Sequence, residues 1–143
     1  MINLTDLIAP SFFDIHKFCR EERFTHIWLA GGRGSTKSSF VSIEIVLGIM
    51  KDPNANAVIL RKIGNTLESS VFNQILWAIE KLGVSRYWQV KKSPLEMTYL
   101  PTGNKIIFRS SDDPMKLKSI KFPKKFISNT HSFNDILSKF SLL

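Results

Sequence analysis

The sequence predicts an α/β fold, a parallel sheet with flanking helices plus an added β-hairpin. Short apolar, β-branched runs alternate with longer helical stretches between residues 24 and 82. One of those stretches repeats its apolar residues at spacings of four and three, and beyond residue 86 the apolar period drops to two. Strand and helix alternate in this way in parallel sheets, because a parallel connection must cross over the sheet and the crossover is usually a helix.

Taken in order, residues 12–23 mix Phe12, Phe13, Ile15 and Phe18 with Asp14, Lys17, Arg20 and Glu21, a short amphipathic helix. Phe24 to Ala30 is aromatic and β-branched and stops at Gly31-Gly32, a buried strand. Lys37 to Lys51 is a largely apolar helix ended by Asp52-Pro53-Asn54, and Ala55 to Leu60 is a second strand ending at Arg61-Lys62. Asn65 to Leu82 places Leu67, Val71, Ile75, Ile79 and Leu82 on one helical face. Asn65 serves as its N-cap, Glu68 favours the positive end of the dipole, and Gly83 stops it.

Tyr87 to Val90, Leu95 to Leu100 and Lys105 to Arg109 then read as strands, with a turn at Pro101-Thr102-Gly103-Asn104. Asp112-Asp113-Pro114 suits a helix start. Residues 123–143 break the pattern. Phe133 to Leu143 is weakly helix-like, and no third parallel strand is expected. A sheet left bare on that side predicts a marginal, aggregation-prone chain. The expected division is an N-terminal helical segment at 1–23, a phosphate-binding domain at 24–122 and a divergent tail at 123–143.

At 143 residues the chain suits one domain, and 43% hydrophobic residues supply a core. A charged fraction of 22% excludes disorder throughout. The apolar run from Val41 to Met50 is broken by Ser42, Glu44 and Gly48, so no stretch reaches the length of a membrane span. The first residues lack the basic and apolar regions of a signal peptide, and a cytoplasmic location is expected. Cys19 is the single cysteine, which excludes an internal disulfide. His16, His26 and His131 show no ligand spacing and read as ordinary boundary residues.

Charge is unevenly placed. Residues 1–85 hold nine Lys/Arg against eight Asp/Glu, whereas residues 86–125 hold ten against three. Such a basic segment suits phosphates of a nucleotide or a nucleic-acid backbone, and equally a solvated face with no partner.

Gly31-Gly32-Arg33-Gly34-Ser35-Thr36-Lys37-Ser38 nearly fits the Walker A pattern of phosphate-binding loops. Gly31, Gly32 and Gly34 permit close backbone approach, so successive N–H groups can form an anion nest that the following helix N-terminus reinforces. Lys37 would reach the β- and γ-phosphates of ATP, and Ser38 would place its hydroxyl on Mg²⁺. Ser35 and Thr36 complete the cup. Thr36 stands where the pattern has glycine, tolerable if its backbone is helical and costly if φ is positive. The bland alternative is a Gly-rich turn followed by a chance Lys-Ser.

From Leu29 to Ser39 the chain resembles the large terminase subunit of tailed bacteriophages, which uses the same Gly-Gly-Arg-Gly-Ser opening. The resemblance continues through Val58 to Lys62, Leu67 to Gln74, Trp77 to Ile79, Gly103 to Arg109 and Asp112 to Ser119, about residues 20–122 in all. It implies a partial P-loop NTPase fold within an ATP-driven motor that packages viral double-stranded DNA. Its partners would be a terminase small subunit and a portal protein, with no membrane, and the full-length protein would form a homo-oligomer. It also implies that Arg33 contacts the γ-phosphate as a catalytic residue, and makes Arg61 a weaker candidate for a phosphate or subunit contact.

Hydrolysis further needs an acid on Mg²⁺ and a carboxylate that positions water. The family carries them as an adjacent acidic pair after an apolar strand, and no such pair follows Lys121. Asp112-Asp113 reads better as a helix cap, and Asp135 follows no apolar strand. No hydrolytic carboxylate is assigned, and a chain truncated before the Walker B acids and the nuclease domain is expected to be inactive alone. The alternatives are a non-catalytic prophage remnant, a basic nucleic-acid-binding fragment, and a different phosphate-loop protein such as a helicase-like or kinase-like domain.

Overall fold

The computed structural model describes residues 2–21, 26–30, 36–61, 67–110, 124–130 and 137–142. Among the described residues seven strands make one sheet: β1 (His26–Ala30), β2 (Ala55–Arg61), β3 (Trp88–Lys92), β4 (Leu95–Tyr99), β5 (Asn104–Ser110), β6 (Lys124–Thr130) and β7 (Leu137–Leu142). Their order across the sheet is β1-β7-β6-β2-β5-β4-β3. β2 pairs in parallel with β5 on one side and β6 on the other, which sets Ala57 opposite both Ile106 and Phe126. The other four junctions are antiparallel.

Three expectations are corrected. The sheet is mixed rather than parallel beside β1, because β7 reverses direction between β1 and β6, whereas the antiparallel β3 and β4 are the expected added hairpin. Residues beyond 123 also continue the sheet, and β6 is the third parallel strand that the sequence did not predict. Lys124-Lys125 and Ser128-Asn129-Thr130 leave only Phe126-Ile127 as a strand signal. Seven residues of pairing with β2 outweigh that weak local preference. Leu137 to Leu142 is a strand where a helix-like stretch was expected, since short apolar runs do not distinguish the two by period alone. The side of β2 expected to lie bare is therefore occupied.

The helices are α1 (Phe13–Arg20), α2 (Lys37–Lys51) and α3 (Asn73–Lys81), the last entered through π-helical turns at Leu67–Phe72. Asn65 and the start of that stretch lie outside the described residues. The register places Ala57 and Ile59 of β2 on one face with Ile106 and Phe108 of β5 and Met97 of β4. These share one core with Phe40, Ile43, Val46 and Ile49 of α2 and with Phe72, Ile75, Ala78 and Ile79 leading into and along α3. Each fully buried Ile or Phe there stabilises the fold by about 2 kcal/mol.

α3 stops as its sequence predicts. Gly83 takes φ 69°, its N–H donates to Glu80 O at 2.9 Å, and the N–H of Val84 donates to Ile79 O at 3.2 Å. That pair of bonds satisfies carbonyls the helix itself leaves open. At the end of α2, buried Asn104 of β5 donates through Nδ2 to the carbonyls of Ile49 (3.2 Å) and Asp52 (2.8 Å). This bond fixes the last turn of α2 against the sheet.

Candidate functional site

β1 runs into the glycine-rich segment, and α2 starts at Lys37. Gly31, Gly32, Arg33, Gly34 and Ser35 lie outside the described residues. Thr36 has φ 60° and ψ 11°, and is the one non-glycine residue with positive φ among the described residues. Its carbonyl accepts the first bond of the helix, from the N–H of Phe40 at 3.0 Å. The left-handed turn at Thr36 thus swings the chain directly into α2. This is the costly case for a β-branched residue at that position.

Lys37 and Ser38 are the first two residues of α2, half-buried and exposed respectively. A helix supplies no carbonyl acceptors for the amides of its own first turn, so that turn carries partial positive charge. Two contacts steady it. Ser42 Oγ donates to Ser38 O at 2.7 Å, and Gln74 Nε2 donates to Ser39 Oγ at 3.4 Å, linking α2 to α3. The described members of the expected site, Thr36, Lys37 and Ser38, are consecutive at this turn. Arg61 closes β2, and Asp112, Asp113 and Asp135 lie outside the described residues.

A second constellation was not predicted. Glu44, midway along α2, is 6% exposed and hydrogen-bonded to His16 Nδ1 of α1. Burial raises the Glu44 carboxyl above the ordinary carboxylate range, opposed by the bond and charge of His16 and by Arg20. Burial, with the charge of Glu44, pushes the Cys19 thiol up to about 12. Phe12 stacks on Phe40 with ring centroids 4.6 Å apart, and Lys51 Nζ donates to Arg20 O at 3.1 Å. The sequence showed Glu44 only as an interruption of an apolar helix and His16 as a boundary residue.

The basic segment maps in part to the β3 side of the sheet. Arg86, Tyr87, Lys91 and Lys92 are exposed, and Arg86 Nη2 donates to Tyr87 Oη at 2.6 Å. Glu96 on β4 lies 3.7 Å from Lys105 on β5. Among the described residues no helix is long and apolar enough to cross a membrane.

The family model described as phage terminase large subunit matches residues 23–136, a span that includes β6. The terminase large subunit of Bacillus phage SPP1 is 41% identical over 123 residues, covering 86% of this chain and 29% of that relative. The PBSX phage terminase large subunit of Bacillus subtilis (strain 168) is 34% identical over 113 residues, covering 79% of this chain and 25% of that relative. The chain thus spans less than a third of the length of either. The family match nevertheless covers most of this chain, and the chain belongs to the phage terminase large subunit family.

Proposed function

We propose that the chain binds the phosphates of ATP, with Mg²⁺, at the turn between β1 and α2, as the nucleotide-binding part of a motor that packages viral DNA. What supports this reading is Thr36. A β-branched residue held at φ 60° immediately before a helix-opening Lys-Ser marks a backbone path that the turn requires despite its cost. The residues present suit the ligand. The Gly31 to Ser35 segment would contribute backbone N–H groups, and the open first turn of α2 adds its partial charge. Lys37 would lie against the β- and γ-phosphates, and Ser38 would turn its hydroxyl toward the metal. Mg²⁺, when bound, would offset phosphate charge. Arg33 would meet charge developing on the γ-phosphate. No carboxylate is assigned to the hydrolytic step.

The partial P-loop NTPase fold belongs to the same proposal, as do double-stranded viral DNA, a small subunit and a portal protein as partners of the whole motor. A second reading, a non-catalytic fragment that binds nucleic acid, draws on the exposed cations Arg86, Lys91 and Lys92. Titration with a fluorescent ATP analogue and Mg²⁺ separates the two. Saturable binding that weakens roughly tenfold or more in Lys37→Ala is expected, the worth of one charge-assisted hydrogen bond. Equal affinity in wild type and variant would remove the phosphate-cup reading and leave the second.

A further inference from the structure

We propose that the outer edge of β3 is a docking strand for an acidic, extended segment of a partner protein, which would join the sheet as a further strand. β3 ends the sheet, and among the described residues no strand pairs with its outer side. The hydrogen bond from Leu100 N–H to Tyr87 O, at 2.8 Å, fixes which backbone groups turn outward. Antiparallel neighbours alternate between bonded and non-bonded pairs, and the register runs from Trp88 opposite Tyr99 to Lys92 opposite Leu95. Gln89 and Lys91 therefore bond to β4, and the N–H and C=O of Val90 face away from it. Val90 is the middle residue of the strand, and it is 40% exposed.

Charge selects the partner. Arg86, Lys91 and Lys92 are exposed, and the Arg86 guanidinium lies 4.7 Å over the Tyr87 ring. Glu96 stands opposite Lys91 in register, but it also lies 3.7 Å from Lys105 Nζ, so the strip keeps a positive balance. Lysines on a sheet edge discourage pairing with a like copy, because two copies joined at β3 would crowd the cations of both. Nucleic-acid phosphates would neutralise the cations, but they offer no donor to Val90 O and no apolar cover for its side chain. An extended peptide supplies backbone donors and acceptors along the edge and side chains to both faces. Val90 and Lys92 share one face of β3, and Lys91 lies on the other. Two acids followed by a β-branched residue, laid antiparallel, set an acid beside each lysine and an apolar side chain beside Val90. β3 is the far end of the sheet from β1, so docking there does not rest on phosphate binding at Lys37.

Amide NMR and hydrogen exchange on the full chain test this, with the synthetic peptide Thr-Glu-Glu-Val-Thr-Thr as probe. Saturable shifts centred on Val90 are expected, with exchange of the Val90 amide slowed at saturation. The same peptide with lysine for glutamate should bind roughly tenfold more weakly, since two attractive pairs become repulsive. N-methylating the peptide valine removes one backbone donor while keeping charge and side chain, and should also weaken binding up to roughly tenfold. Val90→Pro should do the same with circular dichroism unchanged, because the lost N–H faces away from β4. Equal affinity for the parent and N-methylated peptides would overturn strand addition. So would β3 shifts produced by a DNA duplex and not by the peptide, or Val90 protection that rises with protein concentration alone.

Discussion

At the residue scale, Thr36 and Asn104 illustrate opposite effects. Thr36 holds a left-handed backbone that costs a β-branched residue about 1–2 kcal/mol, and its side chain makes no capping bond to α2. Thr36→Gly should therefore raise stability by about 1 kcal/mol in urea denaturation while preserving phosphate binding. A loss of stability would mean that side-chain contacts at Thr36 outweigh the strain. Asn104 does the reverse, satisfying two carbonyls at the end of α2 from within the sheet. Asn104→Ala should cost about 1–3 kcal/mol, read from the same denaturation curves. The importance of Thr36 was legible because it departs from a glycine pattern, but its φ was not, since that depends on the path of the whole turn. The Glu44–His16 contact joins residues 28 apart in sequence, and no periodicity reveals which side chain answers a buried carboxyl.

At the element scale, legibility followed local signal. α2 begins and ends where its apolar run and the Asp52-Pro53-Asn54 stop place it. The end of α3 was set by Gly83, whose positive φ and closing bonds are properties of the tetrad around it. Gly83→Ala should cost about 1–2 kcal/mol in thermal or urea unfolding, from the strained φ. A new Cβ would also stand 3.0 Å from Ile2 Cδ1, which must shift. A neutral substitution would show that the end of α3 relaxes freely. β6 and β7 were illegible for the complementary reason. Neither has a strong pattern of its own, and each becomes a strand through the partners on both its sides.

At the scale of the whole molecule, β7 joins β1 to the rest of the sheet. Deleting residues 131–143 should strip β1 of its neighbour and expose an edge of β6, giving a broadened unfolding transition and aggregation. A sharp, unchanged transition would show that β1 is held by α2 alone. The sheet thereby fixes where the glycine-rich segment leaves β1 and where α2 receives it. The phosphate-binding proposal stands or falls on that junction, and amide NMR with Mg²⁺ and ATP added stepwise tests it most directly. Shifts should concentrate on the amides of residues 31–38 and need roughly tenfold more ATP or beyond in Lys37→Ala. Shifts confined to the β3 side of the sheet, or equal in both proteins, would contradict a phosphate cup between β1 and α2.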